Sequence, residues 1–344
     1  MPPIEIIVPN MNKLAWGILS TANIGIKRVI PAIMSGRRGR VAAIASRDAG
    51  RAARVAAELG IERSYGSYHA LLDDPAIEAI YNPLPNHLHV EWTVKALEAG
   101  KHVLCEKPIA LNATDAEAIV AARDRTGKRV VEAFMVRCHP QWHRVRALVR
   151  SGRIGTVRAI QSAFVFSVLD PNNVRNRAEI GGGALYDVGC YPIVTARYVF
   201  EAEPERVIAL VDRDPQMHID RLTSGMLAFA DGRHVTLVSS LQLAPYQRVV
   251  VLGSEGRIEL AVPFTPSKDH RCRISIDSGK SLDGSSAQFE EFAALDQYAE
   301  QCDLAVAVFR HEAEQEFPIE DAIANMRVID ALYRSAASQR WEAP

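Results

Sequence analysis

Short apolar runs alternate with segments of helical periodicity through residues 14–133, and this alternation restricts the fold more than any other feature of the sequence. The predicted strands are residues 15–19, 41–45, 77–81, 102–105 and 129–133. The predicted helices between them are residues 24–33, 51–59, 69–72, 88–99 and 113–126. Strands that alternate with helices of this length form a parallel sheet with helices on both faces. The first half is therefore predicted to be a doubly wound α/β domain.

The length of 344 residues exceeds what one core usually supports, so two domains are expected. We place them at residues 14–136 and 137–344, after an extension over residues 1–13 that is expected to be disordered or loosely docked. The formal net charge of -1 gives no basic field for nucleic acid or a membrane surface. No apolar run reaches the ~20 residues of a membrane span. Five cysteines without a CxxC pair favour a reduced, cytoplasmic protein that has neither disulfides nor thiolate metal sites.

The first strand–helix turn is the predicted phosphate site, because the amide groups at a helix N-terminus attract an anion. The fingerprint G-x-G-x-x-G reads here as Ser20-x-Ala22-x-x-Gly25, with two glycines replaced by small residues. Small side chains still allow a pyrophosphate to approach the backbone. Any strand–helix turn of small residues would give the same pattern, but its place in the first unit favours a nucleotide site. The predicted contacts in this turn are Ser20, Thr21, Ala22, Asn23 and Ile24.

The end of the second strand predicts which nucleotide is bound. Ser46 and Arg47 stand there about 20 residues after the last glycine, the usual interval, and Arg51 follows one helical turn later. A guanidinium pairs with a 2′-phosphate, so we expect NADP(H) to be preferred and NAD(H) to be the alternative. Asp48 is the opposing signal, since an acidic residue at this point binds the ribose of NAD. The other interpretation is that Arg47 is a solvated residue and Asp48 caps the next helix.

Glu106, Lys107 and Pro108 directly follow the apolar run at residues 102–105. Open α/β sheets bind their ligands at the carboxyl ends of the strands. A lysine at such a strand end is a candidate acid or base.

These residues resemble the glucose–fructose oxidoreductase/inositol dehydrogenase (Gfo/Idh/MocA) family. The resemblance rests on Tyr81-Asn-Pro-Leu-Pro-Asn86-His87-Leu-His89, Ala99-Gly100-Lys-His-Val-Leu-Cys-Glu106-Lys107-Pro108, Gly181-Gly-Gly-Ala-Leu-Tyr-Asp187-Val-Gly189-Cys-Tyr191-Pro and Glu320-Asp-Ala-Ile-Ala-Asn325-Met-Arg327. It covers residues 14–341 and is greatest for the NADP-dependent dihydrodiol dehydrogenase and D-xylose dehydrogenase branch. It implies a Rossmann domain followed by an α/β domain with a large, mainly antiparallel open sheet. It also implies a cis Lys107–Pro108 bond and cofactor contacts from Leu84, Pro85, Asn86, His89, Glu106 and Lys107.

Asp187 and Tyr191 are four residues apart in a segment with helical character, so they share a face. Most of the family has histidine where Tyr191 stands, which moves the acid/base role to Tyr191 assisted by Lys107. A nearby ammonium favours the phenolate form of a tyrosine, whose pKa is ~10. Desolvation in a cleft is expected to lower the pKa of Lys107. The alternatives are a structural ion pair for Lys107, a packed aromatic for Tyr191 and a structural carboxylate for Asp187.

Arg137 and His139 follow the Rossmann segment and are candidates for binding substrate hydroxyls. Packing at the domain junction explains them equally well. His87 and His89 have no third ligand at a recognisable spacing, so no metal site is predicted.

The second half contains predicted strands at residues 157–166, 225–229, 234–241, 248–252 and 256–260. Residues 289–316 have the periodicity of one long amphipathic helix, and residues 321–335 form a last helix that packs back on the first domain. A large sheet with one uncovered face needs a partner surface, so a homodimer or homotetramer is expected.

The predicted function is NADP(H)-dependent hydride transfer between nicotinamide and a secondary alcohol or carbonyl of a sugar, sugar derivative or cyclic diol. One alternative is a reductase of keto-sugars of the anhydrofructose type. The other is a non-catalytic nucleotide-sensing regulatory protein on the same scaffold. The small-molecule substrate, with no nucleic acid and no membrane as partner, is common to the enzymatic interpretations.

Overall fold

A computed structural model describes residues 13–344, so the prediction for the N-terminal extension falls, apart from Lys13, outside the described residues. The first half forms a six-stranded parallel sheet in the order β3-β2-β1-β4-β5-β6. Its strands are β1 Leu14–Leu19, β2 Gly39–Ala45, β3 Arg63–Tyr65, β4 Ala79–Asn82, β5 His102–Cys105 and β6 Val130–Glu132. The strand order reverses between β1 and β4, which is where sheets of this kind bind ligands. The predicted doubly wound domain is confirmed; only β3 was missed.

Helices cover both faces of this sheet. A wide turn at Gly25–Val29 continues into α1, Ile30–Ser35. The others are α2 Ala49–Leu59, α3 Tyr68–Leu72, α4 His89–Glu98 and α5 Ala113–Thr126. Sequence signals set their ends: the side chains of Asp48, Ser67 and Asn112 cap the N-termini of α2, α3 and α5. Gly60 and Gly127 close α2 and α5 at positive φ.

The second half builds an eight-stranded sheet in the order β14-β13-β12-β11-β7-β10-β9-β8. All neighbours are antiparallel except β7 and β10. The strands are β7 Val157–Ser167, β8 Arg206–Arg213, β9 Asp220–Ala228, β10 His234–Ser240, β11 Gln242–Gly253, β12 Arg257–Leu260, β13 Cys272–Asp277 and β14 Ala287–Phe292. The helices of this half are α6 Pro140–Arg150, α7 Cys190–Phe200, α8 Gln297–Phe309 and α9 Ile319–Ser338. The mainly antiparallel sheet is as expected.

The predicted helix over residues 289–316 is wrong at both ends. Residues 289–292 belong to β14, where Phe289 is exposed and pairs with Ser275 of β13. Asp296 then begins α8 as its N-cap, because its side chain accepts from the amide of Tyr298 at 2.9 Å. Only four residues separate the end of β14 from the start of α8. The apolar spacing happens to continue across them, so the sequence pattern resembled a single helix.

The last two helices connect the halves of the molecule. Although α8 follows the second sheet in sequence, it packs on α1, and the Asp303 carboxylate accepts from the amides of Arg37 and Arg38. Likewise α9 packs on β8 and also contacts α5, where Asp330 accepts from the amide of Ala113 at 2.9 Å. These contacts fix the relative position of the two sheets. Within residues 13–344, no helix combines the length and hydropathy needed to cross a membrane.

Candidate active site

A cleft of about 1210 Å³ lies between the carboxyl edge of the first sheet and the end of the second. One wall, the cofactor wall, consists of residues 20–28, Arg51, residues 83–89 and residues 106–107. The opposite wall, the substrate wall, is formed by β7, β11 and a segment between β7 and α7 that we call the strap, residues 168–183.

The predicted phosphate turn lines the cofactor wall with all five of its predicted contacts. Ser20 has a φ of 69°, in the left-handed region that a glycine usually supplies in this fingerprint. The hydroxyl of Ser20 accepts from the amide of Ala22 at 3.2 Å, which holds the turn. The turn therefore has the backbone shape and small side chains that a pyrophosphate requires, despite lacking two glycines.

Two arginines lie beside this turn at the end of β2. Arg51 lines the cleft and its guanidinium donates to the carbonyl oxygen of Thr21 at 3.3 Å. Arg47 is exposed, and Ser46 is buried below it with its hydroxyl bound to the amide of Asp48. The Asp48 carboxylate accepts from the amide of Arg51 at 2.9 Å as the N-cap of α2. Asp48 is thus the N-cap of α2, and Arg51 is the cation of this pair that lines the cleft, whereas the predicted contacts Ser46 and Arg47 do not line it.

The predicted contacts Leu84, Pro85, Asn86 and His89 also line the cleft. Asn86 donates to the carbonyl oxygen of Gly181 at 2.8 Å, which ties the strap to the cofactor wall. The two ring nitrogens of His89 lie 2.8 and 2.6 Å from the carbonyl oxygens of Pro108 and Leu84, and burial lowers its pKa to about 4. His89 therefore fixes the backbone of the site, and its ring nitrogens are not available to a cofactor.

Lys107 and Asp187 meet at the centre of the cleft. The Lys107 ammonium donates to the backbone oxygen of Asp187 at 2.6 Å and lies 3.4 Å from its carboxylate. Arg175 of the strap donates to the other carboxylate oxygen at 2.7 Å. Burial opposes the charge of this carboxylate, but Lys107 and Arg175 outweigh it and lower the pKa of Asp187. The ion pair between Lys107 and Asp187, weighed as an alternative from the sequence, is present.

The predicted direction of the Lys107 pKa is wrong. Burial alone would lower it, but Asp187, Cys190 and Glu106 outweigh burial, and the pKa of Lys107 is raised. Glu106 is itself held by the hydroxyl of Tyr81 at 2.7 Å, and burial raises its pKa. Lys107 is therefore an ammonium at neutral pH. Its peptide bond to Pro108 is cis, as the resemblance implied.

Tyr191 stands beside Lys107, with the ammonium 4.9 Å from its ring centroid. The ring packs edge-on against Phe134 and Phe164, while within residues 13–344 the hydroxyl has only the Met135 sulfur as partner, at 3.4 Å. Burial raises the pKa of Tyr191 well above its usual value, so of the two forms considered from the sequence the neutral phenol is the one favoured here. A thioether is a weak acceptor, and a substrate oxygen can replace it.

Arg137 and His139 do not line the cleft. Arg137 is buried and paired with Asp321 of α9 at 2.5 Å. His139 is buried, and its ring accepts from the amide of Gln141 as the N-cap of α6. Packing at the junction accounts for both residues, and contact with substrate hydroxyls does not.

Sequence reasoning missed three residues around the site: Glu132, Arg175 and Tyr298. Arg175 and Tyr298 line the cleft, and Glu132 lies behind it, accepting from the amide of Ile109 just after the cis bond. None follows a motif with recognisable spacing, because each comes from a segment remote in sequence. No cluster of His, Cys, Asp or Glu suited to a metal occurs in the described part of the chain.

Family models match both halves of the chain. The model described as an oxidoreductase family with an NAD-binding Rossmann fold matches residues 14–134, and the Gfo/Idh/MocA C-terminal domain matches residues 142–259. An oxidoreductase of Rhizobium meliloti is 49% identical over 332 residues, 96% of this chain and 99% of the relative. The chain belongs to the Gfo/Idh/MocA oxidoreductase family. The resemblance seen in the sequence is confirmed.

Other family members carry names that describe their activity. The NADP-dependent D-xylose 1-dehydrogenase of Haloferax volcanii is 36% identical over 324 residues, 94% of this chain and 97% of the relative. A crystal structure of a 3-ketoreductase from Actinomadura kijaniata with NADP and TDP-benzene superposes with a TM-score of 0.88 at 30% identity, covering 94% of this chain and 98% of that one. An aldose–aldose oxidoreductase from Caulobacter crescentus, complexed with glycerol, gives 0.88 at 26% identity, covering 96% and 100%.

The position of Glu132 predicts a pH-dependent stability. Burial, only partly offset by Arg137, raises the pKa of Glu132 from 4.5 to about 7. A raised folded-state pKa adds stability below pH 4.5 that is lost as the pH rises to 7, here about 3 kcal/mol. Glu132→Gln lacks this titration and keeps an acceptor for Ile109. Its unfolding free energy relative to wild type should therefore rise by about 3 kcal/mol between pH 4.5 and pH 7.5 in urea unfolding.

Glu132→Ala is the control, because it removes the acceptor as well as the charge. It should be less stable than Glu132→Gln at both pH values. An unchanged difference between Glu132→Gln and wild type across this pH range would contradict the assigned burial of the carboxylate.

Proposed function

We propose that this protein is an NADP(H)-dependent oxidoreductase. It moves a hydride between nicotinamide and a secondary alcohol or carbonyl carbon of a sugar, sugar derivative or cyclic diol. The observation that carries the proposal is the meeting of Lys107, Asp187 and Tyr191 at a strand end that shares one cleft with the phosphate turn. The names of the Haloferax and Actinomadura relatives, which include NADP, support it.

Bound nicotinamide supplies or takes up the hydride, and the protein must donate or accept the accompanying proton. Tyr191 is a neutral phenol whose hydroxyl donates to the Met135 thioether, its one partner in the described part of the chain. In reduction it donates its proton to the carbonyl oxygen, and in oxidation it receives the proton of the substrate hydroxyl. Lys107 polarises the same oxygen through its ammonium and orients the nicotinamide ribose. Asp187 is a positioning residue, since it fixes Lys107 and is itself fixed by Arg175.

Protonation of the site favours keto-sugar reduction as the second candidate. Tyr191 and Lys107 both carry protons before a substrate arrives, because burial raises the pKa of the first and Asp187 opposes the effect of burial on the second. Donors at the carbonyl oxygen stabilise the negative charge that develops there during reduction. A regulatory nucleotide sensor, by contrast, would need neither side chain.

Lys107→Ala and Tyr191→Phe should each lower kcat by about 10³-fold, since each removes a group that acts on the reacting oxygen. NADPH affinity, measured by fluorescence titration, should stay close to that of wild type. Lys95→Ala and Tyr198→Phe are matched controls outside the cleft and should retain full activity. Full activity in either active-site variant would refute the mechanism. Turnover of no polyol or keto-sugar by wild type, combined with nucleotide-dependent partner binding, would favour a sensor.

Arg47 should decide the choice of nucleotide. Arg47→Ala removes a charge-assisted contact to the 2′-phosphate and should weaken NADPH binding by about 10- to 100-fold while leaving NADH binding unchanged. Arg54→Ala is the control, because Arg54 is an exposed arginine of α2 that does not line the cleft. Tighter binding of NADH than NADPH by wild type would refute the cofactor assignment.

The protein is also proposed to be a homodimer or homotetramer formed through the second sheet. The sheet face away from α9 carries apolar side chains on the neighbouring strands β8 and β9, where Leu210 is 77% exposed and Met226 is 38% exposed. Phe289, 55% exposed, lies on β14 at the opposite edge of the sheet. Exposed large apolar side chains on a sheet face favour contact with a partner subunit. Light scattering should give a dimer or tetramer mass for wild type and a smaller species for Leu210→Lys. A monomeric wild type would contradict the proposal.

A cytoplasmic location is proposed from the five cysteines, all of which are free. Unpaired thiols persist in reducing compartments. Cell fractionation that recovered the protein elsewhere would contradict it.

A further inference from the structure

The charges of the substrate wall bear on which sugars can bind. Two cations lie on this wall, Arg175 and Arg248. Arg175 is paired with Asp187, and Arg248 forms an ion pair with Glu259. Lys107, at the centre, shares Asp187 with Arg175. No cation of this wall is therefore without a carboxylate partner.

The glycine run Gly181–Gly182–Gly183 could have supplied backbone amides for a phosphate. In the structure each of these amides already donates to a carbonyl oxygen within the strap, those of Ala178, Arg177 and Arg175 respectively. The amide of Leu185, at the start of the next helical turn, donates to the Asp220 carboxylate at 2.7 Å. The three glycine amides thus stabilise the fold of the strap and are not available as donors to an anion.

The remaining cations of the cleft lie on the cofactor wall. They are Lys27, Arg28 and Arg51, next to or one turn after the phosphate turn. NADPH brings a pyrophosphate and a 2′-phosphate of its own, and charge-assisted contacts to these groups use such side chains. They do not supply a second phosphate site on the opposite wall.

The substrate wall does offer groups suited to hydroxyls. The second carboxylate oxygen of Asp170 and the side-chain NH₂ of Asn173 have no partner within residues 13–344, because Asp170 uses one oxygen for Asn172 and Asn173 uses its carbonyl for Arg175. Tyr298 lines the same cleft from α8, and its hydroxyl is also without a partner within residues 13–344. Asp170 can accept a hydrogen bond, Asn173 can donate one, and the Tyr298 hydroxyl can do either. Together they can bind several hydroxyls of a sugar ring.

Aromatic side chains complete this wall. Phe166 is half-buried and Tyr246 is 51% exposed, and both line the cleft. Their rings provide apolar surface for the C–H face of a sugar, as is usual in small-molecule sites with a few placed polar groups.

We propose that the substrate is a free, uncharged sugar or polyol, and not a sugar phosphate, sugar acid or nucleotide sugar. The inference rests on the proposed oxidoreductase function. An added anion on this wall would lie beside the carboxylate of Asp170, which has no cation partner in the described part of the chain, or would have to compete with Asp187 for Lys107 and Arg175. This separates the chain from relatives whose names include dTDP-sugars, although they share its fold.

The test compares neutral sugars with charged forms of the same sugars at saturating NADP⁺ or NADPH. A panel of aldoses, ketoses and polyols is paired with the 6-phosphates, uronates and dTDP-sugars derived from them, and kcat/KM is read by NADPH absorbance. The neutral member of a pair should exceed the charged member by about 100-fold. Preferential turnover of a charged member would overturn this inference and leave the oxidoreductase proposal standing. Turnover of no member, with NADPH bound, would refute the proposed function itself.

Asp170→Asn tests the wall directly. Asp170→Asn should lower kcat/KM for neutral sugars, mainly by raising KM. It should also reduce the ratio of kcat/KM between the neutral and charged members of each pair, while NADPH affinity stays unchanged. Asp231→Asn, in a surface hairpin, is the control and should change neither. If the neutral-to-charged ratio of kcat/KM were the same in Asp170→Asn as in wild type, the role of this carboxylate in excluding anions would be overturned.

Discussion

The buried Asp187 carboxylate is the interaction on which this active site depends, because it holds one cation from each half of the molecule. Lys107 reaches it from a strand end of the first sheet, and Arg175 reaches it from the strap. A carboxylate removed from water is stable only when its partners compensate for the lost hydration. Here they do so well enough to lower its pKa. The relative position of the two sheets and the charge state of the site are therefore linked through one side chain.

This arrangement suits a tyrosine to the proton-transfer role proposed for Tyr191, at the position where the resemblance implies a histidine in most of the family. The ring of Tyr191 is enclosed by Phe134 and Phe164, an apolar setting that keeps a phenol neutral. A neutral donor close to a charged one can share a single substrate oxygen without repulsion between them. In the proposed mechanism the ammonium of Lys107 polarises the substrate oxygen and the phenol of Tyr191 supplies the proton, so neither residue has to titrate near pH 7 before the reaction begins.

The sequence predicted those parts of the structure that depend on local patterns. The parallel sheet, the phosphate turn and the place of Lys107 follow from strand–helix alternation and from motifs with fixed spacing. Arg175 could not be predicted, because its role depends on the path of the strap across the cleft. The direction of the Lys107 pKa was wrong for the same reason: burial was visible in the sequence, but the three-dimensional neighbourhood of Asp187, Cys190 and Glu106 was not. Likewise, the helix predicted over residues 289–316 began too early, because the apolar spacing gave no sign that α8 begins only after its N-cap Asp296.

Specificity and mechanism are coupled in this site by the same ion pairs. A guanidinium can bind a phosphate, but that of Arg175 is bound to Asp187, the carboxylate that also holds Lys107. A substrate anion could recruit Arg175 only by loosening that carboxylate, which would leave Lys107 without its main compensating charge. A relative that accepts charged sugars on this scaffold must therefore add a cation elsewhere on the substrate wall. The proposed exclusion of anions thus follows from the ion pairs that Asp187 forms with Lys107 and Arg175.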